Sequence, residues 1–271
     1  MIDVLNYLLP LLYALTIGAY IVDFLREKES LSGLKRSALL TTLLLHTGYL
    51  IARTITFEHP PITNKFEIFT VLAFSVAFCY FIIELMTDIK RTGSFILVFS
   101  LVFQVLSTAF IQDLVDVKEV LKNPLLGFHV FTVLLAYSAF TLSAVYGVLF
   151  IILYRRLQSN EYGIFFNRLP NLEVLEKLSF IAVVLGFINL TISISIGGIW
   201  LPQAFPDFSM FDPKLISSFS VWIVYGVAVG VRMFAGWYGR KVIYFSLAGY
   251  TLAILSLLLI NMFGDTFHNF Y

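Results

Sequence analysis

Charge is what this chain is short of. Of its 271 residues only 13% are Asp, Glu, Lys or Arg, about half of the quarter that a water-soluble domain uses to cover its surface. That excludes a soluble one- or two-domain protein of this length. The formal net charge of +1 excludes nucleic-acid binding driven by overall charge. There is one cysteine, Cys79, and it lies inside an apolar run. A disulfide framework, a CxxC redox pair and a CxxCH attachment site are therefore excluded, and with them a c-type cytochrome or a thiol oxidoreductase. Reaction motifs are missing too: no P-loop, no HExxH metal site, and no serine, histidine and acid at one depth.

What is present is apolar. Residues of that kind make up 59% of the chain, with a mean hydropathy of +0.89. Hydrocarbon about 30 Å thick needs roughly 20 apolar residues in helix. Runs of that length predict eight helices, at 4–24, 36–56, 66–87, 93–112, 125–154, 177–197, 214–234 and 241–262. They are continuously apolar rather than alternating with period two, which argues against a barrel. The first run has no basic residue before it and no small-residue cleavage site after it, so it reads as a retained helix. The fold class expected is an all-α integral membrane protein, a bundle of eight transmembrane helices forming one polytopic domain over residues 1–271.

Basic residues set the orientation. With the N-terminus outside, the inner loops hold thirteen (Arg26, Lys28, Lys35, Arg36, Lys90, Arg91, Arg155, Arg156, Arg168, Lys177, Arg232, Arg240 and Lys241). The outer side holds five, Arg53, Lys65, Lys118, Lys122 and Lys214. This positive-inside bias places both termini outside, on the extracytoplasmic side of a prokaryotic cytoplasmic membrane. The same face then carries the 57–67 turn, the stretch 113–124, the aromatic loop 197–214 and the C-terminal residues 264–271. The inner segment 155–176 could form an interfacial turn.

Depth distinguishes the four histidines. His129 lies five residues past Pro124, in the first turns of helix five, and His268 lies just beyond helix eight, so both fall at the outer surface. Two facing imidazoles could supply both axial ligands of a haem iron. Alternatively, each is an interfacial histidine hydrogen-bonded to a helix end. The loop between them bears on that choice. Trp200, Phe205, Phe208 and Phe211 give it four aromatic rings, and three prolines stiffen it. Such a platform suits a flat hydrophobic ligand such as a porphyrin, or an aromatic belt lying in the interface. His46 sits near the middle of helix two, where an ionisable residue is a functional candidate, with Tyr49 and Arg53 on the same face. It could ligate haem, hydrogen-bond inside the bundle or contact a substrate. His59, beside two prolines, reads as a solvated loop residue. Asp212 precedes Pro213 as an N-cap precedes N1, and Glu67 favours the N-terminus of helix three.

The loop resembles the tryptophan-rich "WWD" loop of the cytochrome c assembly family (CcsA, CcmC, CcmF and the HemX branch). Trp200, Ala204, Asp212, Pro213 and Lys214 match it. Phe205, Phe208 and Phe211 keep its aromatic character, while Pro206, Ser209 and Leu215 depart from Gly, Trp and Glu. Further segments agree in order: Pro61-x-x-Asn64-x-x-Glu67, Asn123-Pro124 before His129-Val130, Trp222-x-x-Tyr225, Gly236-Trp237-x-Gly239-Arg240 and Phe267-His268-Asn269. The resemblance covers about residues 46–271. It implies that His129 and His268 are axial ligands of a non-covalently held haem b, over a platform of Trp200, Phe205, Phe208, Phe211 and Asp212. His46 is then a further intramembrane candidate, although the histidine that the synthase branch carries after the loop is Gly230 here. Arg53 or Lys65 could pair with haem propionates.

The function the resemblance implies is holding haem at the outer face for delivery to apocytochrome c, in concert with a membrane partner bearing a large outer domain. The chain would not be an enzyme by itself but part of a haem-attachment system, since the thiols must come from the apocytochrome. Two alternatives stand beside it. One is a HemX-like membrane regulator of glutamyl-tRNA reductase and tetrapyrrole synthesis. The other is a secondary transporter of a small apolar solute, against which stands the scarcity of intramembrane charge and of paired broken helices.

Overall fold

The computed structural model describes residues 2–26, 31–114, 116–160, 163–204 and 209–263. Among them every regular element is helical: α1 (Ile2–Arg26), α2 (Leu31–Phe57), α3 (Lys65–Thr87), α4 (Gly93–Phe110), α5 (Pro124–Gln158), α6 (Ile164–Arg168), α7 (Leu172–Ala204), α8 (Pro213–Met233) and α9 (Arg240–Phe263), with a 3-10 turn at Glu119–Lys122 before α5. Seven of them, α1 to α5, α7 and α8, are long and apolar enough to cross a membrane. The chain is an integral membrane protein. The eighth expected run forms α9, of 24 residues.

The helices begin where the sequence supplies caps. Asn64 accepts from the amides of Phe66 and Glu67 and starts α3. Asn123 accepts from Leu125 N with Pro124 in the first turn of α5, and Asp212 accepts from Lys214 N with Pro213 in the first turn of α8. Asp88 ends α3 in the left-handed region, at φ 55°, and its amide returns to the Glu84 carbonyl. Several boundaries differ from expectation: α2 starts at Leu31 rather than 36, α5 ends at Gln158 rather than 154, and α7 starts at Leu172 rather than 177. No loop begins at Gly197, because α7 runs on through Gly197, Gly198 and Trp200 to Ala204. A glycine pair costs a helix about 2 kcal/mol, less than opening several backbone hydrogen bonds in an apolar setting. Pro202 lies inside this helix and has no N–H for the carbonyl four residues back.

The chain forms two compact units, residues up to Gly127 with Arg155–Pro170, and Phe128–Tyr154 with residues from Asn171 onward. In the first, α1 packs on α2 and α4, and α3 packs on α2 and α4, closing a four-helix bundle. Its interior holds a chain of polar side chains. His46 Nδ1 meets the Tyr13 hydroxyl at 2.9 Å and Nε2 meets Thr70 Oγ1 at 3.0 Å. Thr70 donates to Gln104 (2.8 Å), Gln104 to Thr108 (3.2 Å), and Thr108 to the Asn6 carbonyl (2.9 Å). Tyr49 donates to Asn6 Oδ1 at 3.3 Å. Interhelical hydrogen bonds of this kind average about 0.6 kcal/mol in a membrane, whereas a buried polar group without a partner costs several. The chain therefore fixes which faces of the four helices meet more than it adds stability.

Each end of this bundle is closed by an ion-pair cluster. At one end Arg53, 1% exposed, donates Nε and Nη2 to Glu67 Oε1 (3.1 and 2.9 Å), Nη2 to the Gln112 carbonyl (2.9 Å) and Nη1 to Asp113 (2.9 Å). The second oxygen of the fully buried Glu67 accepts from Thr63 N (2.8 Å) and Thr63 Oγ1 (2.6 Å). At the other end Glu84 accepts from Tyr20 (2.5 Å) and Arg36 (3.0 Å), while Lys35 pairs with Asp23. Arg36 also hydrogen-bonds Asp88, and with Lys90 it holds that carboxyl below the usual carboxylate range.

Two expectations change in this unit. Arg53 is not free to meet a propionate, because all three guanidinium nitrogens are committed. His59 is not solvated. It is 2% exposed, with Nδ1 2.9 Å from the Pro60 carbonyl and Nε2 2.8 Å from the Leu114 carbonyl, so it fastens its own turn to the segment after α4.

In the second unit the core is aromatic. Phe140 and Tyr225 stack at 3.6 Å between centroids, and Phe187 stacks on Trp222, whose indole N–H donates to Thr191 at 2.8 Å. Ser143 on α5 bonds Ser179 on α7 (2.9 Å) and Ser246 on α9 (2.8 Å). Two positive-φ glycines, Gly236 and Gly239, turn the chain from α8 into α9.

The Arg53 cluster gives the first prediction. Arg53→Leu strands the Glu67 carboxylate and is expected to lower unfolding stability in detergent by about 3–5 kcal/mol. Arg53→Leu with Glu67→Leu removes the stranded charge and is expected to regain much of that loss. Thermal melts of the two variants check it.

Candidate functional site

Asn123 and Pro124 start α5 so that His129 falls in its second turn. The half-buried ring rests against α7. Its Nδ1 lies 3.0 Å from the Ser193 carbonyl oxygen and 3.1 Å from Ser193 Oγ. The His129 carbonyl accepts from Thr132 Oγ1 at 2.8 Å and Ser193 Oγ at 3.3 Å. The ring edge faces Gly197, one helical turn past Ser193. Nε2 makes no hydrogen bond among the described residues. An imidazole anchored at one nitrogen and open at the other is what a metal takes as a ligand. Among the described residues no group of three or more His, Cys, Asp or Glu could hold a bare metal ion. A metal already bound in a macrocycle asks only for axial ligands.

The rest of the expected site divides. Trp200 lies in the last turns of α7 and is 8% exposed, whereas Phe211, at the entry to α8, is 83% exposed. Phe205, Phe208 and His268 lie outside the described residues. Asp212 is the N-cap of α8, with Oδ1 accepting from Lys214 N at 2.8 Å. Lys214 lies in the first turn of α8. At Gly230 a side chain would meet nothing within 4 Å.

His46 presents the opposite case to His129. Thr70 spends its one hydroxyl proton on Gln104, so it accepts from His46 Nε2–H, and Nδ1 accepts from Tyr13. Both nitrogens of His46 are engaged, and the ring is wholly buried. Sequence reasoning missed the contacts of Ser193 and Gly197. Their signal was a small polar residue four positions before a glycine, ordinary in itself and meaningful only once α5 is seen to cross α7 there.

A polytopic membrane protein, helical throughout its described residues, with a histidine in the second turn of α5 and an aromatic segment entering α8 is the class these features define. The chain matches the family described as "Cytochrome C assembly protein" over residues 62–268, and it belongs to that family. It is 26% identical over 222 residues to "Cytochrome c biogenesis protein CcsA" of Chlamydomonas reinhardtii, covering 78% of this chain and 61% of that protein. It thus spans about three fifths of that relative's length. The CcsA protein of Prochlorococcus marinus (strain MIT 9515) is 28% identical over 248 residues, with 82% and 78% covered. "Protein HemX" of Brevibacillus brevis is 24% identical over 270 residues, with 96% and 95% covered. The matched family region contains His129 but not His46 or His59.

Asp212 can be tested as a cap. Asp212→Ala is expected to lower stability by about 1 kcal/mol, and Asp212→Asn by a few tenths, since Asn caps as well as Asp. Melting temperatures of the two variants check it, and equal losses would point to a role for the charge instead.

Proposed function

We propose that this chain holds haem b non-covalently at the outer membrane face, with His129 and His268 as the two axial ligands, for delivery to apocytochrome c. The observation that carries the reading is the His129 ring, fastened to α7 at Nδ1 and, among the described residues, with no hydrogen bond at Nε2. A metal ligand needs a nitrogen lone pair that no hydrogen bond occupies. Trp200 and Phe211, with Phe205, Phe208 and Asp212, would flank the ring plane. Lys214 carries a charge suited to a propionate. Haem supplies the group that becomes attached; the thiols that receive it lie in the apocytochrome, and a membrane partner with a large outer domain would present them.

The reading places all 271 residues in one polytopic domain of eight spans, α9 being the eighth, with both termini on the extracytoplasmic side of a prokaryotic cytoplasmic membrane. The positive-inside distribution of Lys and Arg supports that orientation. His46 enters it as the hub of the α1–α4 hydrogen-bond chain, and ligand binding there would require Tyr13 or Thr70 to let go.

A second reading, a membrane regulator of glutamyl-tRNA reductase, is favoured by the near end-to-end match in length with HemX and by Gly230 in place of a histidine. The two readings part on one experiment. The protein purified in detergent is expected to show a low-spin haem spectrum, oxidised and dithionite-reduced, that His129→Ala or His268→Ala abolishes. No bound haem, together with altered glutamyl-tRNA reductase levels on deletion, would favour the second.

A further inference from the structure

Taking His129 as an iron ligand, as above, the α7 surface beneath it decides which nitrogen is offered. A backbone carbonyl can only accept, so the nitrogen 3.0 Å from the Ser193 oxygen carries a proton. The Ser193 hydroxyl, 3.1 Å from the same nitrogen, gives its own proton to the His129 carbonyl and is left as an acceptor. Both partners ask for Nδ1–H, which leaves the lone pair of the neutral ring on Nε2.

That carbonyl is reachable for a reason visible in the sequence. Side chains in a helix lean toward the N-terminus, so the residue four positions on overhangs a given carbonyl. Four on from Ser193 is Gly197. A Cβ there would stand 3.1 Å from His129 Cε1 and 3.4 Å from Nδ1, whereas one at the neighbouring Gly198 would meet nothing within 4 Å. The two glycines are adjacent and differ in what they leave room for.

We propose that the Ser193 carbonyl and Gly197 form a notch on α7 that fixes His129 as its Nδ1–H tautomer and aims Nε2 at the iron. Gly197 and Ser193 are positioning residues, acting through His129. A carbonyl partner on the far nitrogen also raises the basicity of the ligating one, and losing such support typically weakens metal binding about ten- to hundredfold.

The test uses the full chain in detergent, with and without haem, in wild type and in Gly197→Leu, Gly198→Ala, Ser193→Ala and His129→Ala. In haem-free wild type labelled with 15N-histidine, the signals lost in His129→Ala are expected to report a protonated Nδ1 and a bare Nε2. Gly197→Leu is expected to lower haem occupancy about ten- to hundredfold and to shift the midpoint potential of the haem that remains. Gly198→Ala, which adds a methyl one position away, is expected to retain both haem and tautomer, and Ser193→Ala, which removes the hydroxyl but keeps the carbonyl 3.0 Å from Nδ1, is expected to keep the tautomer. A protonated Nε2 in the wild type overturns the proposal, as does a Gly197→Leu protein with unchanged occupancy and potential. A His129→Ala protein that keeps its low-spin haem overturns the assignment of iron to Nε2 and the ligand reading with it. The nitrogen signals decide the notch independently.

Discussion

A polar group inside hydrocarbon must find a partner within the protein, and that one constraint organises this molecule. In the α1–α4 bundle a connected chain of side chains meets it at the centre, while the buried Ser100 and Ser107 hydroxyls of α4 have no hydrogen-bond partner among the described residues. His46, Tyr13, Thr70, Gln104, Thr108, Asn6 and Tyr49 bond to one another in sequence, with Arg53–Glu67–Asp113 and Arg36–Glu84–Asp88 closing the ends. Such a set contributes modestly to stability, since the unfolded chain in a membrane also finds partners. Its effect is to disfavour every other arrangement of the four helices, because each slip would strand a group.

Against that background the two helix-borne histidines separate by how their nitrogens are used. His46 spends both on neighbours; His129 spends one. The difference comes from what crosses each ring. Hydroxyls of Tyr13 and Thr70 approach both nitrogens of His46, whereas His129 meets α7 through Nδ1. Depth in the membrane alone would have ranked His46 first as a cofactor ligand. Its hydrogen bonds make it the hub of the α1–α4 chain.

Much of the fold was legible because its signals are local. Long apolar runs mark the spans, and Asn64, Asn123-Pro124 and Asp212-Pro213 announce helix starts within a residue or so. The end of α7 was not legible. Gly197, Gly198 and Pro202 are loop signals in water, but α7 runs through all three to Ala204. His59 was misjudged for a similar reason: adjacent prolines suggest a solvated turn, while the Leu114 carbonyl that buries it comes from 55 positions away. The partners of Arg53 are equally remote in sequence from any pattern that could be read along one helix. At the candidate site, the sequence identified His129 and the Asp212 cap, but the α7 surface under the ring emerged only from how α5 and α7 cross.

The account stands on two imidazoles sharing one iron, and electron paramagnetic resonance of the oxidised, haem-loaded protein addresses that most directly. Two imidazole ligands give a low-spin ferric signal, and replacing either His129 or His268 by a non-ligating residue should convert it to a high-spin one. A wild-type protein that is high-spin throughout, or a low-spin signal indifferent to both substitutions, would contradict the account.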